Sequence, residues 1–342
     1  MQTTGAQTIR GPKIRGPNAS KEKTCRRTVA LATLVALQAA VAGPALAGGA
    51  LNVGKADAKA SAIVPVNVAE KLGLFKKHGI EVKIADFTGG SKLSQAMVAG
   101  SIDIGVGAGT EMAFVAKGAP IIAVCDDTPP IPFIGIAVPW DSPIHSISDL
   151  KGKRIGISSA GSLTDWLARE LAHHQGWGDD GVTRVAIGNG AAAVLAAFRT
   201  HAIDADISVT SNIFSWEENK EGRLLIPASQ YVGNIAAGAI YATKHLIETD
   251  PDALRRFLAA WLETIAFISS HKAETVKLES AITGYSETVM SKEYDVTRGM
   301  FSKDCKFDPE SLANLKRAFV EQKLVDSPPD MSKLYTEAFL PK

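Results

Sequence analysis

"VLAAFRTHAIDADISVTSNIF", Val194 to Phe214, repeats the pattern of "LSQAMVAGSIDIGVGAGTEMAF", Leu93 to Phe114. In both, apolar residues at helical spacing run into a tight turn and then an Ile-Asp pair, Ile102-Asp103 over Ile203-Asp204. A short apolar strand and a turn of small residues follow. Self-similarity at an offset of about one hundred residues means that the chain builds the same supersecondary unit twice.

Working outward, the likeness extends upstream. "LNVGKADAKASAIVPVNVAEKLGLF" (51–75) and "KRIGISSAGSLTDWLARELAHHQGW" (153–177) both read strand, turn, helix, with Gly54 against Gly156. "HGIEVKIADFTGG" (78–90) then meets "DGVTRVAIGNG" (180–190) as a second strand and its turn. Each half is strand, helix, strand, helix, strand, which predicts a right-handed parallel α/β unit. The fold expected is α/β with two lobes facing each other, each lobe a mainly parallel sheet flanked by helices.

Two strand-like runs mark crossings between the lobes, "PFIGIAVPW" (132–140) and "NIAAGAIYAT" (234–243). The predicted division is residues 48–136 with 238–342 for the first lobe and 137–237 for the second. Beyond the second crossing, "DPDALRRFLAAWLETIAFISSH" places Leu254, Phe257, Leu258, Trp261, Leu262 and Ile265 on one helical face behind an Asp250-Pro251 start. A further helix is predicted over Ser311 to Lys323.

The amino end has its own signals. Residues 1–24 are polar, repeat "IRGP" and hold no apolar periodicity, so they are expected to be unstructured. Arg26-Arg27 then leads into "TVALATLVALQAAVAGPALA", whose Ala45-Leu46-Ala47 fits a secretory cleavage site after Ala47. Its apolar part, Thr28 to Val41, falls short of the ~20 residues that span a bilayer. Cys25 precedes that run and so cannot be a lipoprotein cysteine. A secreted location is expected. Residues 1–47 carry seven Lys/Arg and one Glu, which leaves 30 basic against 35 acidic residues after cleavage. No basic surplus remains to hold a nucleic acid or other polyanion. Cys125 and Cys305 could pair in an oxidising compartment, but their sequence distance says nothing of geometry, and buried free thiols are the preferred expectation. No C-x-x-C or paired-histidine spacing suggests a metal, and no cofactor is expected.

In an open parallel sheet, ligands bind beyond the carboxyl ends of the strands, among helix amino ends and their spare N–H groups. The turns there are "KADAKAS" (55–61), "FTGGS" (87–91), "VGAGT" (106–110), "ISSAGS" (157–162), "GNGAA" (188–192) and "VTSNIF" (209–214), nearly all small residues. "GISSA" (156–160) falls one glycine short of a nucleophile elbow, and His245 and His271 lie within ordinary helical stretches. "GVGAG" (105–109) is not a dinucleotide fingerprint, and no phosphate-binding G-x-x-x-x-G-K-[ST] exists. Ser162 and Asp165 match a capping box, which explains both without a ligand. Trp166 and Trp216 are candidates to stack on a planar ligand or to wedge into packing. His173-His174 are expected on an exposed helix face, and Glu217-Glu218 as a solvated helix start.

With these pieces in place, the chain resembles the periplasmic solute-binding family of ATP-binding-cassette importers that serves nitrate, taurine, alkanesulfonates and thiamine-pyrimidine precursors. "AEKLGLFKKHGIEVKIADFTGGSKLSQAMVAGSIDIGVG" (69–107), "KGAPIIAV" (117–124), "SISDLKGKRIGISSAGS" (146–162) and "DPDALRRFLAAW" (250–261) carry the resemblance. It implies a hinged, type II-like binding-protein fold, a monomer that closes on one small molecule, performs no chemistry and docks on an inner-membrane permease. The binding positions it implies are Lys59 and Ser61, Gly90 and Ser91, Gly109 and Thr110, Ser159, Gly161 and Ser162, and Thr210 and Asn212, with Trp166 as the stacking candidate. The cysteine-rich motif of the yeast-type pyrimidine-forming enzymes is absent. The solute implied is a sulfonate, taurine or nitrate; the alternatives are a nitrogen heterocycle such as a thiamine pyrimidine precursor, or a secreted enzyme of the same fold. Charge argues over which, because the turns offer Lys59 and Lys92 against Asp57, Glu111, Asp126-Asp127 and Asp165, and no arginine.

Overall fold

The twofold pattern becomes two five-stranded sheets in a computed structural model that describes residues 49–341. The expected unstructured leader and the signal peptide with its Ala47 cleavage site lie outside the described residues. The first repeat supplies β1 (Leu51–Lys55), α1 (Pro65–Lys71), α2 (Leu74–Lys77), β2 (Val82–Asp86), α3 (Gly90–Val98), β3 (Ile104–Gly107), α4 (Met112–Ala116) and β4 (Ile121–Thr128). After the first crossing come β5 (Ile134–Pro139), β6 (Arg154–Ile157), α5 (Leu163–His174), β7 (Thr183–Ala186), α6 (Ala191–Arg199), β8 (Ala205–Val209), α7 (Thr210–Glu218) and β9 (Gly222–Pro227). The chain then returns as β10 (Gly238–Thr243), followed by α8 (Lys244–Thr249), α9 (Pro251–Ser270), α10 (Lys272–Thr283), α11 (Glu287–Thr297) and α12 (Pro309–Glu321).

The strand orders match, β2-β1-β3-β10-β4 in the first sheet and β7-β6-β8-β5-β9 in the second. In both, the first strand of the repeat pairs in parallel with the other two. The strand that follows each crossing inserts antiparallel between the repeat and an edge strand. In each sheet four strands run one way and a single inserted strand, β10 or β5, runs against them, so the sheets are mixed but mainly parallel as expected. Because β5 begins at Ile134 and belongs wholly to the second sheet, the crossing falls ahead of the expected boundary after residue 136.

The repeated aspartates do one job twice. Asp103 accepts from Asn52 N at 2.8 Å while its own N–H donates to Asn52 O, and Asp204 does the same to Arg154 N at 2.9 Å. Each fixes the entry of its third strand beside its first. The expected face of α9 is packed in the core with Phe257, Leu258 and Trp261 fully buried, and Asp250 caps the helix by accepting from Ala253 N at 2.9 Å. The last helix starts at Pro309, earlier than Ser311, because Asp308 caps it through Ser311 N at 3.0 Å. Among the described residues no helix is long and apolar enough to cross a membrane.

Two expectations fail here. Cys125 and Cys305 form a disulfide, with Cα atoms 4.5 Å apart. The Asp126 N–H donates to Cys305 O at 3.1 Å, so backbone pairing brings the two segments side by side across 180 residues of sequence, which spacing alone could not reveal. Glu217-Glu218 lie at the carboxyl end of α7, not at a helix start. There they meet the α10–α11 hairpin, which leans across to the second sheet: Ser286 donates to Glu218 at 3.1 Å and Lys292 pairs with Glu217 at 3.4 Å. The Tyr285 hydroxyl donates to Asn212 Oδ1 in the same seam.

Candidate functional site

The small-residue turns of both sheets converge on a cavity of about 80 Å³. That is several times what one water needs (~10–15 Å³) and below the ~300 Å³ of a drug-sized pocket, so the space suits a small organic molecule. The turns after β1, β2 and β3 form one wall and those after β6, β7 and β8 the other. Direct bonds join the walls, with Ser91 Oγ donating to Ala160 O at 2.8 Å and Asn189 Nδ2 donating to Asp57 Oδ2 at 2.5 Å and to Ala56 O at 3.2 Å.

Two carboxyls face this space. Asp57 turns the chain between β1 and α1: its Oδ1 accepts from Lys59 N at 2.7 Å and Ala60 N at 2.8 Å. Burial raises its pKa above the ordinary aspartate value, opposed by those hydrogen bonds and by the Lys55 charge. Glu111 is 4 % exposed. Its Oε2 accepts from Ala108 N at 3.2 Å and Thr110 Oγ1 at 2.9 Å, and burial pushes its carboxyl up to about 7. Its Oε1 occupies the space in front of Gly90, at the amino end of α3, where a Cβ would collide with it.

On the opposite wall the hydroxyls bond to one another. Ser158 Oγ lies 2.9 Å from Ser162 Oγ and from Thr164 Oγ1, and Ser158 N donates to Thr164 Oγ1 at 2.8 Å. Ser162 caps α5 by accepting from Asp165 N at 3.4 Å. A serine nucleophile needs a base within hydrogen-bond reach. Among the described residues no histidine lines this cavity.

Of the binding positions that the resemblance implied, Gly90, Ser162 and Asn212 line the cavity, as do Asp57 and Glu111, named in the sequence for their charge. The others stand behind or beside it. Ser61 donates to Glu293, Lys59 Nζ sits 4.2 Å from the Tyr285 ring, and Ser91 bridges the walls. The Gly109 N–H goes to Ala236 O at 2.7 Å, Thr110 braces Glu111, and Gly161 N donates to Asp165 at 2.9 Å. Thr210 and the Ser159 hydroxyl are buried in the seam. Trp166 is 3 % exposed within the core and cannot reach a ligand, and Trp216 packs edge-on against Phe198 at 6.1 Å. Asp165, expected to oppose an anionic solute, instead pairs with Arg184 at 2.9 Å and Arg169 at 3.6 Å behind the wall. Asn189, Phe133 and Ile134 are lining residues that were not singled out, although Asn189 sits in the "GNGAA" turn. Away from the cavity, Glu170, His173 and Glu321 place ligand atoms within 4.8 Å of one another. His173 is taken by Asp179 at 2.7 Å, and the two glutamates share Arg317 at 3.7 and 3.8 Å, so the group is an ion-pair network.

Residues 60–275 match the family model described as NMT1/THI5 like, which covers the second repeat, the first repeat beyond β1 and its turn, and the walls of the cavity from Ala60 onward. The chain belongs to the NMT1/THI5-like family. Among its relatives, a putative binding protein of Brucella abortus is 26% identical over 214 residues, 62% of this chain and 65% of that protein, so the match spans just under two thirds of the relative's length. The 4-amino-5-hydroxymethyl-2-methylpyrimidine phosphate synthase of Saccharomyces cerevisiae is 24% identical over 296 residues, 81% of this chain and 84% of that enzyme. Among solved structures, the alkanesulfonate-binding protein SsuA of Xanthomonas axonopodis pv. citri, bound to MOPS, superposes with a TM-score of 0.72 at 19% identity, covering 84% of this chain and 97% of that one. The NMT1/THI5-like fold thus includes both binding proteins and an enzyme. The periplasmic-binding-protein architecture that the resemblance implied is present.

Proposed function

We propose that this chain is the solute-binding component of an ATP-binding-cassette importer, exported to the periplasm, which encloses one small molecule between its two sheets and presents the closed form to an inner-membrane permease. The observation that carries this reading is the cavity walled by turns from both sheets and crossed by the Asn189–Asp57 and Ser91–Ala160 bonds. A solute there touches both halves at once. It therefore favours the closed arrangement by its differential affinity, and a permease can read that difference. The likeness to an alkanesulfonate-binding protein and to a Brucella binding protein supports the same reading. The lobes divide near residues 134 and 238, and the chain works as a monomer with no nucleic-acid partner.

The yeast relative keeps an enzymatic reading in view. The hydroxyl-only surroundings of Ser158 favour binding over catalysis. Small-angle scattering and thermal shift against a panel of sulfonates, nitrate, amines and pyrimidines test the proposal. A true solute at 100 times its Kd adds ~2.7 kcal/mol of stability. The reading also expects a smaller radius of gyration and no turnover. Conversion of a bound compound, or no shift with any of them, would overturn it.

A further inference from the structure

The importer reading leaves the charge of the solute open, and the cavity speaks to it. An anion held at helix amino ends uses free backbone N–H groups. At several of these turns the chain has already turned its own oxygens toward that space. Asp57 takes the N–H groups of Lys59 and Ala60. Glu111 Oε1 fills the space in front of Gly90 at the start of α3. Asp165 takes Gly161 N, and Ser162 caps α5.

No lysine or arginine lines the cavity among the described residues. The nearby cations are engaged elsewhere: Lys59 Nζ over the Tyr285 ring, Lys55 Nζ with Asp86 at 3.0 Å and Asn67 at 2.5 Å, and Arg184 with Asp165. The lining consists of two carboxyls, hydroxyls and amides such as those of Ser208 and Asn212, and apolar surface from Ile63, Phe133 and Ile207. Burying a carboxylate costs free energy even where its oxygens accept hydrogen bonds, and a positive ligand group beside it relieves that cost. We infer that the solute is a small organic cation, a protonated amine or amidinium on a short apolar body, whose nitrogen faces Asp57 and Glu111. This inference rests on the importer reading and narrows its solute class.

The test compares butylamine with butanesulfonate, which share a body and differ in the head group, and adds acetamidine. Calorimetry on the purified chain is expected to show binding of butylamine or acetamidine and none of butanesulfonate. Glu111→Gln, which keeps an oxygen for Ala108 N and Thr110, should weaken the cation at least tenfold. Asp57→Asn, which keeps an oxygen for Lys59 N and Ala60 N, should do likewise if the first variant folds poorly. Butanesulfonate binding more tightly than butylamine overturns the charge inference and leaves the importer reading standing. Cation binding unchanged in both variants overturns it as well. Failure of all three compounds to bind or to compact the chain in scattering counts against the importer reading itself.

Discussion

Gly90→Ala probes the contact on which the acidic wall depends. The Gly90 backbone does not occupy the left-handed region, so alanine meets no torsional strain there. Its Cβ would, however, overlap Glu111 Oε1, and Glu111 must turn away. The Ala108 N–H and the Thr110 hydroxyl then lose their acceptor, at about 1–3 kcal/mol for buried groups left unpaired. Overpacking adds about 1–3 kcal/mol. Alanine returns about 0.4–1 kcal/mol by restricting the unfolded chain. The net cost expected is about 1–5.5 kcal/mol, read as a lower urea midpoint at pH 7. Glu111→Ala alone leaves a small void and costs about 1–3 kcal/mol. In the double variant the overlap no longer exists, so the double should be less destabilised than the sum of the singles by about 1–3 kcal/mol. Additivity within ~0.5 kcal/mol would show that Gly90 and Glu111 do not touch, and the account of this wall would fall.

Two further outcomes follow from burial and covalent structure. Glu111 and Glu293 are pushed up to about 7, and Glu279 and Asp206 to about 8, all chiefly by burial. Acids with raised folded-state values bind protons in the folded chain that the unfolded chain has released, so stability falls as pH rises from about 4.5 to 8. Urea midpoints should be higher at pH 5.5 than at pH 8, and Glu279→Gln should flatten the slope; a midpoint rising with pH contradicts the placement of these groups. The Cys125–Cys305 bridge closes a 180-residue loop. Reduction, or Cys→Ala at both positions, should cost about 2–5 kcal/mol on loop-closure grounds. A chain equally stable with and without reductant would mean that the bridge does not form.

The repeat was legible because both copies must solve the same packing problem. Gly54 and Gly156 fall on equivalent strands, and Asp103 and Asp204 lock equivalent joints, so residue type recurs wherever geometry recurs. Turn positions were legible in outline for the same reason. Which side chains of a turn face inward was not, since that depends on what lies opposite. Asp165 looked like a cleft residue until Arg184, on a different strand, claimed it. Trp166 follows a cleft turn, but the helical rotation of α5 carries it to the core face. The disulfide escaped because two single cysteines leave no local pattern, and only the β4 edge brings them together. Asp57 and Glu111 were visible as charges. Their occupation of backbone donors was not, because it rests on how the turns close around them.

The insertion of β10 also sets an order of assembly. Everything in the second sheet, β5 to β9, comes from one unbroken stretch of chain, Ile134 to Pro227. The first sheet cannot close from its own early residues, because among the described residues β4 pairs with no strand other than β10. Until residues 238–243 arrive, β4 is an orphan strand with an open edge, and non-local pairing of this kind is slow and prone to wrong partners. The second half is thus the natural early folding unit. The first half waits with its edge uncovered, and that interval is when a newly made chain most needs protection from aggregation.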